Sequence, residues 1–176
     1  MFKRMLIILF FLTAIISFFG CQSEGRLDIS DVTITGSSKT IGYHKTIIEK
    51  DNLNDNEKIA NIFKMLLDEQ SELVLVKADE TIEIEFNNIP PKRITLYDHY
   101  IHELDGTNKF GEADYREIQS DGNVYSFKLG RTSAELLESD LRGYKYRGLR
   151  LSCEWDNYEY EYAFVVKTIM IPKTTR

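Results

Sequence analysis

The feature that most constrains this 176-residue chain is the strict two-residue alternation near its end. Leu149, Leu151, Cys153 and Trp155 alternate with Arg150, Ser152, Glu154 and Asp156. Tyr158, Tyr160, Tyr162, Phe164 and Val166 then alternate with Glu159, Glu161, Ala163, Val165 and Lys167. Successive side chains of a strand point to opposite faces, so this period predicts two long strands and does not fit a helix. Asp and Asn tolerate turn conformations, so the Trp155-Asp156-Asn157-Tyr158 junction predicts a tight hairpin between the two strands.

Weaker alternations fill the chain upstream. Val32 and Ile34 alternate with Thr33 and Thr35, followed by a turn at Gly36-Ser37-Ser38. Thr40–Glu49 reads as a strand with Ile41, Tyr43 and Ile47 on one face, and Leu73–Val76 is a continuous apolar run. Ile82, Ile84 and Phe86 alternate with Glu83 and Glu85 before Pro90-Pro91, and Arg93–Ile101 follows as a further strand. Asp105–Glu117 is the longest polar stretch and reads as an exposed loop, and Asp121-Gly122 marks a turn before Val124–Leu129. In only two places does the period become helical. Ile59, Ile62, Phe63, Leu66 and Leu67 define an amphipathic helix of about sixteen residues, with Asn54 and Glu57 in capping-box positions. Its solvated face carries Asn61, Lys64, Asp68 and Glu69. Thr132–Ser139 reads as a short helical turn. The expected fold is mainly β (α+β), an antiparallel two-sheet sandwich of about eight strands with one inserted helix and one short helix. The closing Trp155…Tyr160-x-Tyr162…Phe164 hairpin resembles the end of immunoglobulin-like extracytoplasmic domains in Gram-positive lipoproteins, without the paired cysteines of antibody domains.

The first twenty residues follow other rules. Lys3 and Arg4 precede Met5–Phe19, an uncharged, mostly apolar run. It is short for a membrane span, which needs about 20 apolar residues, but has the length of a signal-peptide core. Gly20-Cys21 and the polar Gln22–Gly25 that follow resemble the lipobox of bacterial lipoproteins. Phe18 and Phe19 stand where that family usually carries a leucine and a small residue. The resemblance implies that residues 1–20 are removed and that Cys21 receives diacylglycerol and further acyl chains such as palmitate. It also implies a lipidated tether at 21–30 and a site on the extracytoplasmic face of the cell membrane, while the strand pattern, with no internal repeat or composition break, makes 31–176 a single β-rich domain. Two or three acyl chains anchor stably where one is marginal. An uncleaved anchor, or an ordinary signal peptide with an incidental Cys21, are the alternatives.

Composition narrows the partners. The chain carries 22 Lys+Arg against 28 Asp+Glu, and loss of Met1–Gly20 would move its net charge from −6 to −8. Export and that acidity argue against nucleic acid, and the lipid rather than the protein surface would hold the molecule to a bilayer. One segment departs from the acidic trend. Arg142, Tyr144, Lys145, Tyr146, Arg147 and Arg150 interleave cations with tyrosines. Such a stretch could grip an anionic sugar or wall polymer, or it could simply pair with the abundant carboxylates.

Other chemistry-bearing groups are sparse. Cys153 shares a strand face with Leu149, Leu151 and Trp155, which suits a small core residue better than a nucleophile served by His44, His99 or His102. His99 and His102 lie three apart on a strand and so point to opposite sides, a poor start for a metal site. The oxygen donors of Asp105-Gly106-Thr107-Asn108, Glu112 and Asp114 lack the order of a calcium loop. No P-loop, G-x-S-x-G, H-E-x-x-H, S-x-x-K or C-x-x-C pattern occurs. The expectation is a non-catalytic binding or interaction module with no cofactor and no metal, its protein or cell-envelope ligand unidentified. An envelope enzyme using an unrecognised site, or a modulator of a neighbouring membrane protein, are the alternatives.

Overall fold

The two long alternating segments form the central strands of the domain. In the computed structural model, residues 32–47, 56–77, 79–133, 137 and 143–169 are described here, all within one compact unit spanning Asp31–Arg176. The elements are β1 (Val32–Gly36), β2 (Lys39–Thr40), β3 (Tyr43–Ile47), α1 (Asn56–Glu69), β4 (Leu75–Lys77), β5 (Thr81–Phe86), β6 (Arg93–Ile101), β7 (Asp114–Ile118), β8 (Ser120–Asp121), β9 (Val124–Lys128), β10 (Tyr144–Glu154) and β11 (Glu159–Ile169). They make a mainly β sandwich: one sheet in the order β2-β1-β5-β9-β8, the other β3-β11-β10-β6-β7. Neighbouring strands pair antiparallel, except that β4 runs parallel to the end of β11. The β10–β11 hairpin pairs Tyr144 with Ile169 and Glu154 with Glu159.

Alternation explains the smaller sheet directly. Ile34, Ile82, Ile84 and Phe86 turn inward and are buried, while Glu83 and Glu85 lie on the exposed outer face. From the larger sheet Leu96, Leu149, Leu151, Cys153, Tyr162 and Phe164 are buried. Aromatic edges lock the two layers together: Phe86 meets Tyr125, Trp155 and Tyr162 in T-shaped contacts at 5.6–6.2 Å.

The larger sheet does not follow the one-sided pattern. Nearly every residue of β10 and β11 is buried, whichever face it occupies. Helix α1 causes this, because Ile59, Phe63 and Leu66 pack with Ile101, Tyr146, Ala163 and Val165 on the sheet's outer face. The molecule therefore has three layers rather than two over this region. Gly148 provides the space for the helix: a Cβ there would lie 2.6 Å from the Phe63 ring. Gly106, at φ +69°, brings its loop against the helix backbone at Ala60 and Lys64, where a Cβ would meet atoms at 2.7 Å.

Several expected boundaries shift. The strand expected at Thr40–Glu49 is divided, with Thr40 in β2 and Tyr43–Ile47 as β3, since the chain crosses from one sheet to the other at Ile41-Gly42; Ile48 and Glu49 lie outside the described residues. The last four residues of the expected 105–117 loop belong to β7, whose residues are mostly polar because it lies at a sheet edge. Ser37 and Ser38 form the β1–β2 turn, both with positive φ (50° and 60°). The described helix begins at Asn56, so Asn54 of the expected cap lies outside the described residues, as does most of Thr132–Ser139.

Candidate functional site

The cation-and-tyrosine segment becomes β10, and strand geometry divides it between two faces. Cys21 and Arg142 lie outside the described residues. Lys145 and Arg147 share the sandwich-facing side and are buried, whereas Tyr144, Tyr146 and Arg150 face the helix side. The fork of Arg147 is satisfied internally. Its Nε donates to Asp98 Oδ1 at 2.8 Å, Nη2 donates to Asp98 Oδ2, and Nη1 donates to the Gly130 carbonyl at 3.0 Å. Arg150 Nε lies 3.1 Å from Glu161 Oε2, both residues buried, and its guanidinium sits 4.9 Å from the Tyr97 ring centre. Burial pushes the Glu161 carboxyl up, opposed by Arg150, Lys58 and His44. Two guanidiniums that pattern reasoning offered to a ligand thus hold internal carboxylates.

The tyrosines also separate. Tyr146 belongs to the helix–sheet core, donates to Glu103, and is pushed up to about 12 by burial and by that carboxylate. Tyr144 remains exposed, and Lys167 Nζ lies 5.9 Å from its ring centre and 5.6 Å from that of Tyr146. Of the six residues singled out in this segment, Tyr144 alone presents a broad surface among those described.

Other candidates resolve similarly. Cys153 is fully buried, and burial raises its thiol well above the ordinary range, reinforced by Glu159 and Glu161. Such a thiol is neither accessible nor ionised. His99 is buried against Phe63, with Nδ1 3.0 Å from Asn108 Oδ1, and burial lowers its pKa to about 4. It is therefore a neutral core histidine, while His102 lies exposed just beyond the strand. Asp105 closes its own turn by accepting from Thr107 N at 2.9 Å and Thr107 Oγ1 at 2.7 Å. Among the described residues no group of three or more His, Cys, Asp or Glu side chains is placed to hold a metal ion.

A concave surface lies elsewhere. Between α1 and edge strand β3 runs a groove of about 410 Å³, lined by His44, Glu57, Lys58, Asn61, Ile62 and Met65. Ile62 and Met65 are half-buried and give it an apolar side. Gln70, just past the helix, donates through Nε2 to the Gly42 carbonyl at 3.3 Å and ties the helix end to the start of β3. Lys45, the next residue along β3, projects to the other face, with Nζ 4.4 Å from the Tyr160 ring centre. Sequence reasoning missed this site. Ile62 belongs to the helix's apolar stripe, but the sequence does not say that β3 ends the sheet. Comparison with protein-family models and with curated proteins finds no match for the chain.

Proposed function

We propose that this chain is a lipid-anchored extracytoplasmic interaction module that works by holding a partner rather than by chemistry of its own. The address rests on the sequence, where a basic start, a mostly apolar core and Gly20-Cys21 stand in lipoprotein order. The immunoglobulin-like resemblance of the closing hairpin fits the same reading. The observation that carries the interaction role is the groove between α1 and β3, an open, mixed apolar and polar surface at a sheet edge. The thiol-enzyme alternative is disfavoured, because Cys153 is buried on the sandwich-facing side of β10.

A photo-crosslinking residue placed at Asn61 in cells, with one at Thr33 on the outer face of the smaller sheet as a comparison, tests the role. A discrete adduct from Asn61 and none from Thr33 is expected. Equal, diffuse labelling from both positions would contradict it.

A further inference from the structure

We propose that the domain rests on its own membrane through the loop between β5 and β6, with Ile89 seated among the lipid headgroups and the far end of the sandwich turned away from the bilayer. This rests on the lipid-anchor reading and adds the surface that meets the lipid.

The point of attachment decides which end of the sandwich is near the lipid. Val32, the first described residue, pairs with Phe86, and the Phe86 ring meets Trp155 edge-on at the start of the β10–β11 hairpin. The chain from Cys21 therefore enters the sandwich at its hairpin end. Fully extended, the stretch from Cys21 to Val32 spans at most about 38 Å. The eleven residues of β10 alone run about 35 Å, from Glu154 beside the hairpin to Tyr144 at the far end. Bringing the Tyr144 end to the bilayer would require the linking stretch to run the length of the sandwich near its limit. The hairpin end needs none of that reach. Leu104 and Tyr144 are exposed at the far end, so exposed apolar area alone does not choose between the two ends.

The near end presents one apolar side chain on a braced loop. Trp155 Nε1 donates to the Ile89 carbonyl at 3.0 Å, the Tyr125 hydroxyl donates to the Pro91 carbonyl, and the Lys92 N–H donates to the Glu154 carbonyl at 2.8 Å. Pro90 and Pro91 fix their own φ angles and stiffen the loop further. The backbone is thus held from the core side while Ile89 stays 53% exposed. Placing that side chain at headgroup depth removes apolar area from water. Half-buried Tyr158, in the adjacent hairpin, is a residue type favoured at the same depth. Lys92 pairs with Asp156 and Arg93 with Glu154, so the contact does not call on these cations to bind anionic lipid. One isoleucine is too little to hold a protein on a bilayer, and the acyl anchor supplies the local concentration that makes its contact effective.

The test uses the protein as cells process it, purified from membranes and reconstituted into vesicles of phosphatidylethanolamine and phosphatidylglycerol, with flotation to measure attachment. Trp155 is the chain's one tryptophan, so its quenching by nitroxide-headgroup lipid reports on the hairpin end without any substitution. Fluorophores on Ile89→Cys and Leu104→Cys report on the two ends separately, because Cys153 is buried and acylation occupies Cys21. Melting midpoints confirm that each variant folds. The nitroxide lipid should quench the label at 89 at least fivefold more strongly than the label at 104. Ile89→Asp should at least halve the quenching of Trp155. Equal quenching at both labels, stronger quenching at 104, or Trp155 quenching that Ile89→Asp leaves unchanged would overturn the proposal. Any of these in protein that floats with the vesicles would refute the membrane-facing loop and leave the anchor standing, whereas protein that fails to float would refute both.

Discussion

Phe63 is the side chain on which the helix layer depends, because two glycines shape the space around it. Gly148 offers its ring a bare backbone, and a Cβ at Gly106 would lie 2.9 Å from Phe63 Cβ. Gly148→Ala should cost about 1–3 kcal/mol, because overpacking forces rigid neighbours apart. Phe63→Leu should make the same substitution less costly, and denaturant midpoints of the two single variants and the double variant measure this. His99, beside Phe63, provides a pH signature. Its folded pKa of about 4 lies below the ordinary 6.5, so the unfolded chain takes up the proton first. Its contribution to stability is therefore complete above pH 6.5 and falls as pH drops toward 4, by about 3 kcal/mol in all. Buried Asp98 and Glu161, both raised, act in the opposite direction, so the comparison must be with His99→Gln. That variant should lose less stability than the native chain between pH 6.5 and 4, and parallel pH profiles would contradict the assignment.

At the scale of elements, β10 is held on both faces and by both neighbouring strands. The Asp98–Arg147 pair joins β6 to β10 inside the sandwich. Arg147→Met should cost about 3–5 kcal/mol by stranding a buried carboxylate. Asp98→Leu/Arg147→Met should recover most of that loss, as thermal melts of the single and double variants would show. Cys153, on the same strand, should react with a thiol reagent only under unfolding conditions, and rapid labelling of the native fold would contradict its burial. These strands were legible because period two is a local property, and so was the helix, from Ile59, Phe63 and Leu66. Their mutual placement was not. Arg150 and Ser152 stand on the polar face of their strand in the alternation, yet that outer side of β10 is buried, and only the chain's path from β3 into α1 puts a helix above that sheet. Asp114–Glu117 read as loop for a related reason: an edge strand carries charges that resemble loop composition. The groove was illegible because His44 and Met65 meet only through that same path.

Across the whole molecule, most sheet edges are managed against unwanted pairing. β2 and β8 are two residues long, β7 is charged, and Arg116 donates to the Lys128 carbonyl at the margin of β9. Among the described residues β3 has no strand on its outer edge and lies beside the recess against α1, which is why the interaction role is assigned there. No helix among the described residues is long and apolar enough to cross a membrane. The proposed attachment to the envelope depends on acylation at Cys21, which would keep the sandwich beside the membrane whatever its net charge. Mass spectrometry of the intact protein extracted from its native membranes tests that claim most directly. The expected result is a chain that begins at Cys21 with diacylglycerol in thioether linkage on its sulfur. A chain that retains Met1–Gly20 with a free Cys21 thiol would contradict it.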